Sequence, residues 1–177
     1  MDGDFKKAVL HLEKACVVDS TNANALWMLG YSYYHCENYK KAIATYCRVV
    51  ELKPADWSAY YYRAMARSYY ARDIQTTAAD KEKSMLGAIL DLTKAIAINP
   101  ADIKCYQNRG IFYRDYAVFK LQKTNKFYDK TRGINSLKAS VADLEKVLAE
   151  SPDRKDISTQ LDLSKQQLVA ATVITHN

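Results

Sequence analysis

The 177-residue chain is 49% hydrophobic with five glycines and three prolines, which gives material for one buried core and too few breakers for a disordered or strand-rich chain. No apolar run approaches the roughly 18 residues of a membrane-spanning helix, and the opening MDGDFKKAVL has neither the basic start nor the apolar stretch of a signal peptide. The net charge of +6 is uneven: nine basic residues stand between Lys104 and Lys138 against only Asp115 and Asp129, so the rest of the chain is about neutral. A local field of that sign raises encounter rates with acidic partners and says nothing about fold.

Helical spacing predicts eight helices with short connections. The first spans Asp4 to Val18, the second and third Asn24 to Cys36 and Tyr39 to Leu52. A stripe through Tyr60, Ala64, Arg67, Ala71 and Ile74 carries the fourth helix to that isoleucine. Thr77-Ala78-Ala79-Asp80 reads as a capping box with Asp in place of Glu, and opens a fifth helix with Met85, Ala88, Leu92 and Ala95 on its apolar side. The sixth runs through Tyr106, Gly110, Tyr113, Ala117 and Leu121 toward Gln122. Lys123 to Gly133 has no period and is expected to be a loop, after which a seventh helix resumes by about Ser136 and ends near Glu150. Lys155 to about Thr175 forms the eighth, polar and amphipathic.

Three intervals recur along these helices. Gly30, Ala42 and Pro54 lie 12 and 12 residues apart, Ala64, Ala88 and Pro100 lie 24 and 12, and Gly110, Ser140 and Pro152 lie 30 and 12. Each of the first two prolines is followed 10 residues later by the next small residue, so the variation is confined to one edge of a repeated helical hairpin. The stretch from Ala23 to Asp56 resembles a tetratricopeptide repeat, with Leu26, Leu29, Gly30, Tyr33, Ala42, Tyr46 and Pro54 at the signature positions. Two further stretches follow in phase, and the resemblance covers nearly the whole chain. It implies an all-α, right-handed α-α superhelix of about three and a half repeats plus a C-terminal capping helix. As one domain, residues 1–177 would divide into a half repeat (1–22), a full repeat (23–56), a repeat with a 12-residue insertion (57–102), a repeat with an 18-residue insertion (103–154) and the cap (155–177). In this frame Asp4 to Val18 is a second helix without its first, so the sequence is expected to belong to a longer protein or to pair with another subunit.

In that frame Gly30, Ala64 and Gly110 should face Ala42, Ala88 and Ser140 where two helices approach closely. The prolines close each second helix. Leu29 and Thr45 of the first full repeat become Arg63 and Asp91 in the second, and Arg109 and Asp143 in the third. The joint change predicts an Arg–Asp bridge across each later hairpin, which would fix helix registry and remove both arginines from any ligand site. At the position of the last helix that matches Gly30, Asp162 is too large and polar for close packing against a following helix, which suits a cap.

The resemblance implies that first helices line a concave groove for a peptide or a partner's helix. The candidate contacts are Trp27, Tyr31 and Tyr34 in one repeat, Tyr61, Tyr62, Met65 and Tyr69 in the next, and Lys104, Gln107, Asn108 and Arg114 in the third. The groove is aromatic at one end and polar to basic at the other. Members that clamp a C-terminal carboxylate use Lys, Asn, Asn, Lys and Arg where this chain has Trp27, Tyr31, Tyr62, Lys104 and Asn108, so only one of the five matches. Aromatic anchors suit an apolar or amphipathic segment instead. The competing role for the tyrosines is packing: Tyr33, Tyr39, Tyr46, Tyr60, Tyr106 and Tyr113 fall on positions that normally lie between helices.

No catalytic grouping, cofactor motif or metal-ligand spacing is present. His11, His35 and His176 are scattered and no Gly-rich phosphate loop occurs. Cys16, Cys36, Cys47 and Cys105 have no CxxC spacing and are expected to be free thiols, which slightly favours a cytoplasmic location. The expected role is therefore a protein-binding scaffold. Two alternatives remain: nucleic-acid binding through residues 104–138, whose basic residues are interleaved with Phe112, Tyr113, Tyr116, Phe119, Phe127 and Tyr128, and self-association through residues 4–18.

Overall fold

The computed structural model describes residues 2–173. His176 and the expected helix end near Thr175 lie outside the described residues. Eight helices occur among the described residues: α1 (Asp2–Val18), α2 (Ala23–His35), α3 (Tyr39–Leu52), α4 (Trp57–Arg72), α5 (Ala78–Ile98), α6 (Ile103–Leu121), α7 (Lys130–Glu150) and α8 (Lys155–Thr172). None is long and apolar enough to cross a membrane.

Local chemistry sets the starts and stops. Asn22, Asn38, Asp56, Asp102 and Asp129 each accept a backbone N–H from the first turn of the helix they precede, satisfying donors that have no intrahelical partner. The Thr77 hydroxyl accepts from Asp80 N at 3.1 Å and donates to the Asp80 carboxylate at 2.8 Å, so the box forms with Asp where Glu is usual. Pro54, Pro100 and Pro152 each stand two residues beyond the last residue of α3, α5 and α7, where a ring without an N–H ends the helix.

The chain divides into two compact units, Met1–Pro100 and Ala101–Asn177. In the first, α1 packs on α2, α2 on α3, α3 on α4 and α4 on α5, and α2 also touches α4. Its core holds two joined groups, one of Leu26, Tyr46, Val49, Val50 and Ala59, the other of Leu29, Tyr33, Ala42 and Ala66. In the second, α6 packs on α7, α7 on α8, and α8 returns to α6 around Leu144, Val147, Ile157 and Leu161.

Four sequence expectations need correction. The fourth helix stops at Arg72, and Ile74 lies 92% exposed in the turn that follows. α7 starts at Lys130 and not near Ser136, because Asp129 caps it and Asp129 N–H donates to Lys120 O at 2.8 Å, which closes a shorter connection than the one expected. The nearest neighbour of Gly30 is the Tyr46 ring rather than Ala42: a Cβ there would sit 3.0 Å from two ring carbons. Gly110 likewise faces Leu144 and Asp143, at 2.9 and 3.2 Å, while Ser140 bonds Ser164 of α8 at 2.9 Å. Gly30 and Gly110 thus admit the large residue one turn further along the second helix. Asp162 is exposed.

Both Arg–Asp bridges are present. Arg63 donates to Asp91 through Nε and Nη2 at 3.0 and 2.6 Å, and Arg109 to Asp143 through the same atoms at 2.7 and 2.8 Å. A second arginine joins the first pair. Arg67 Nη1 reaches Asp91 at 2.8 Å and the Gly87 carbonyl at 2.9 Å, in the space a Gly87 Cβ would fill at 2.7 Å.

Candidate functional site

Helix period places Trp27, Tyr31 and Tyr34 on one side of α2, and Tyr61, Tyr62 and Tyr69 on the side of α4 that meets it. The structure brings these rings into one connected face. Trp27 and Tyr31 stack at 5.5 Å, and both present to the edge of Tyr62, at 5.5 and 5.2 Å. Tyr62 also meets Tyr61 at 5.3 Å and Tyr34 at 6.0 Å, and Tyr34 meets Tyr69 at 5.8 Å. The stacked and edge-on arrangements are those the ring quadrupole favours. Most of these side chains are half-buried, and Tyr69 is exposed. Met65 of the same helix is half-buried as well.

The face is held by polar contacts beneath it. Trp27 Nε1 donates to Ser58 Oγ at 3.0 Å, and Ser58 Oγ donates to the Asp56 carboxylate at 2.6 Å, the same carboxylate that caps α4. A relay of this kind fixes the indole against the start of the next first helix. Burial, followed by neighbouring tyrosines, pushes the Tyr34 and Tyr62 hydroxyls above the usual phenol range, so both stay protonated and able to donate at neutral pH.

Three residues, Phe5, Tyr39 and Trp57, join this face that were not expected there, together with His35, which the repeat frame also points toward the groove. Phe5 of α1 stacks on His35 at 4.5 Å and meets the edge of Tyr31 at 6.0 Å. Tyr39 stacks on Tyr69 at 5.2 Å, and Trp57 meets Tyr61 at 6.5 Å. The i, i+4 spacing of Trp57 and Tyr61 was legible, whereas Phe5 and His35 sit on different helices with no local signal to join them.

Of the tyrosines expected in the core, Tyr33 and Tyr46 are buried, and Tyr39, Tyr60, Tyr106 and Tyr113 are half-buried. Tyr33 donates its hydroxyl to Glu13 of α1, which also pairs with Lys41 at 3.1 Å. Tyr46 has 0% exposure beneath Trp27 and Tyr62, and its hydroxyl has no hydrogen-bond partner among the described residues. An unpaired buried hydroxyl carries an uncompensated desolvation cost, so Tyr46→Phe is expected to stabilise the chain by about 1–3 kcal/mol. Urea unfolding of the two proteins checks this; a loss of stability would mean that the hydroxyl has a partner.

The candidate residues of the second unit behave differently. Gln107 accepts from Arg154 at 3.1 Å, and Arg114 donates to Gln160 of α8 and lies 3.5 Å from Asp115. Both hold the capping helix. Asn108 donates to the Lys104 carbonyl one turn back, and Lys104 is exposed. The structure therefore collects the aromatic candidates, ties Gln107, Asn108 and Arg114 into contacts within their own unit, and leaves the Lys104 side chain exposed. Of the aromatics in the basic segment, Phe112, Tyr116 and Phe119 are buried and Phe127 stacks on Phe119 at 6.0 Å, which leaves few rings for bases to stack on.

On α1, Ala8 and Leu12 are half-buried and Ala15 is exposed, although the residues at the same positions of α3, α5 and α7 are covered: Ala42, Tyr46 and Val49; Ala88, Leu92 and Ala95; Ser140, Leu144 and Val147. Leu10, Val17 and Val18 of this helix are exposed too. All four cysteines are free. Burial, reinforced by Asp102, pushes the Cys105 thiol up to about 12, and burial raises Cys16 as well, which is opposite to what a nucleophile needs. Among the described residues no cluster of His, Cys, Asp or Glu could hold a metal ion.

The comparisons agree with this architecture. Residues 23–56 match the family model described as tetratricopeptide repeat. None of the curated proteins matches the chain. Among solved structures, the MamA protein is similar at TM-score 0.70 and 21% identity, over 96% of this chain and 78% of that one. The Arabidopsis OM64 TPR domain is similar at TM-score 0.60 and 20% identity, over 81% and 94%. The first TPR of Spaghetti (RPAP3) bound to the HSP90 peptide SRMEEVD is similar at 0.59 and 22%, over 85% and 96%. At these identities the likeness is one of fold, the α-α superhelical repeat.

Proposed function

We propose that this chain, which carries a tetratricopeptide repeat and has the fold of the proteins built from such repeats, is a protein-interaction scaffold whose first unit captures an apolar or amphipathic segment of a partner. The observation that carries the reading is the connected aromatic face of α2 and α4. Rings that are half-buried, braced by Trp27–Ser58–Asp56 and already ordered lose little freedom on binding and bring large contact area. The face has hydroxyl donors and no charged side chain among Trp27, Tyr31, Tyr34, Tyr61, Tyr62, Met65 and Tyr69. A neighbouring fold holds an HSP90 peptide, but the residues that would receive a terminal carboxylate are here Trp27, Tyr31, Tyr62, Lys104 and Asn108, so an internal segment fits better than a free C-terminus.

Capped synthetic peptides test the reading by fluorescence anisotropy: an amphipathic helix rich in Leu and Phe, and a peptide ending in a free acidic C-terminus. The amphipathic peptide is expected to bind more tightly, and Trp27→Ala to weaken it about 30-fold, the scale of a central anchor worth about 2 kcal/mol. Since the hydroxyls stay protonated, affinity should hold constant from neutral pH to the threshold of phenol ionisation. Equal affinity for both peptides, or binding unaffected by Trp27→Ala and Tyr31→Ala, would sink the proposal.

A further inference from the structure

The residues added to the third hairpin help build a concavity within the second unit. The end of α6, the connection before α7 and the end of α8 enclose a cleft of about 500 Å³, of the size that takes a small ligand or a few side chains. Its apolar wall includes Val118, Leu121, Tyr128, Ala171 and Val173, of which Val118, Tyr128 and Val173 are exposed. Lys123 and Lys130, both exposed, also line it, and among the described residues no carboxylate does. Gln167, a further lining residue, has a buried side-chain carbonyl oxygen with no partner among the described residues.

We propose that this cleft docks a short extended segment of a protein partner in which a large apolar residue is flanked by Asp or Glu. Three observations fix the chemistry. The apolar wall is open and gains from covering a side chain. The two lysines supply positive charge without a compensating acid in the lining, so carboxylates on either side of the apolar residue complement it. The lining includes the Gln167 amide, and an extended peptide backbone presents N–H groups to such a wall where a phosphodiester backbone has only acceptors. The burial of Phe112, Tyr116 and Phe119 argues in the same direction, since single-stranded nucleic acid is held by exposed stacking rings.

The test uses the full chain and two labelled short peptides, one of Leu and Phe interspersed with Asp and Glu, the other identical but with Lys at every acidic position. The acidic peptide is expected to bind at least about tenfold more tightly at low ionic strength, with the difference shrinking as salt is added. The exposed-site variant K123E/K130E should reverse the preference while leaving the melting temperature unchanged, and Gln167→Leu should weaken the acidic peptide without destabilising the fold. The proposal is overturned if both peptides bind alike, or if K123E/K130E leaves the preference intact. Displacement of the acidic peptide by a uridine oligonucleotide would assign the cleft to nucleic acid. Binding that emerges only after deletion of residues 174–177 would assign it to the chain's own end. Trp27→Ala should leave this binding untouched, which keeps the result independent of the aromatic face.

Discussion

Asp91→Ala is expected to lower stability by about 3–5 kcal/mol, the range for removing one partner of a buried ion pair. The Asp91 side chain is 5% exposed and receives two arginines: Arg63 through two nitrogens and Arg67 through one, with Arg67 also held by the Gly87 carbonyl. Burial works against the charge on Arg63, and the Asp91 carboxylate outweighs it, so the guanidinium is held above its ordinary pKa and remains charged at any working pH. Removing the carboxylate leaves two cations side by side with no anion between them. Asp143→Ala releases Arg109 alone and should cost less. For a chain of this size about 2–4 °C of melting temperature accompanies each kcal/mol, so Asp91→Ala should melt about 6–20 °C lower by circular dichroism. Replacing Arg63, Arg67 and Asp91 together by leucine should recover most of the loss, because the network sets registry more than it adds net stability. A loss below about 1 kcal/mol for Asp91→Ala would place the pair in the range of exposed ion pairs and remove the registry argument.

The registry pairs were legible because they changed together: Leu29 and Thr45 in one hairpin against Arg63 and Asp91, then Arg109 and Asp143, at the same repeat positions. Arg67 was not, because it stands where the other two hairpins carry Tyr33 and Tyr113, so its pairing with Asp91 has no repeated joint change to reveal it. The misplaced start of α7 has another cause, added residues with no counterpart in the first repeat. Lys130 to Gly133 has no apolar period, and its helical state is set by the Asp129 cap and by Leu121 packing over Gly133, neither visible in a search for stripes. The aromatic face was readable on α2 and α4, where a fixed frame turns sequence position into direction. The ties of Gln107 and Arg114 to α8 were not, since long polar side chains reach partners that spacing on their own helix does not specify. Position in the frame gave direction, and it could not say which side chains were already engaged.

Leu137→Ala is expected to cost about 2–5 kcal/mol, the range for emptying a filled core position. Leu137 holds the repeat position of Tyr39, three residues before the small residue of the second helix and next to the added length, and it is completely buried. The surrounding geometry explains why. Gly133, one turn earlier, has no Cβ, and one placed there would stand 2.6 Å from Leu121 Cγ, so the start of α7 and the end of α6 approach as closely as the helices do elsewhere in the hairpin. The connection is pinned by Asp129 N–H to Lys120 O, by Asn125 Nδ2 to Phe119 O at 3.3 Å, and by Phe127 stacked on Phe119. An arm packed in this way shares its core with the hairpin, and a cavity at Leu137 should therefore destabilise the unit as a whole. Leu90→Ala is the matched control: that leucine is 60% exposed on α5, and its loss should stay within about 0.5 kcal/mol. Urea unfolding reads both. If Leu137→Ala costs no more than Leu90→Ala, the added residues form an appendage that opens independently of α6 and α7, and the cleft they line would lack the rigid walls that docking requires.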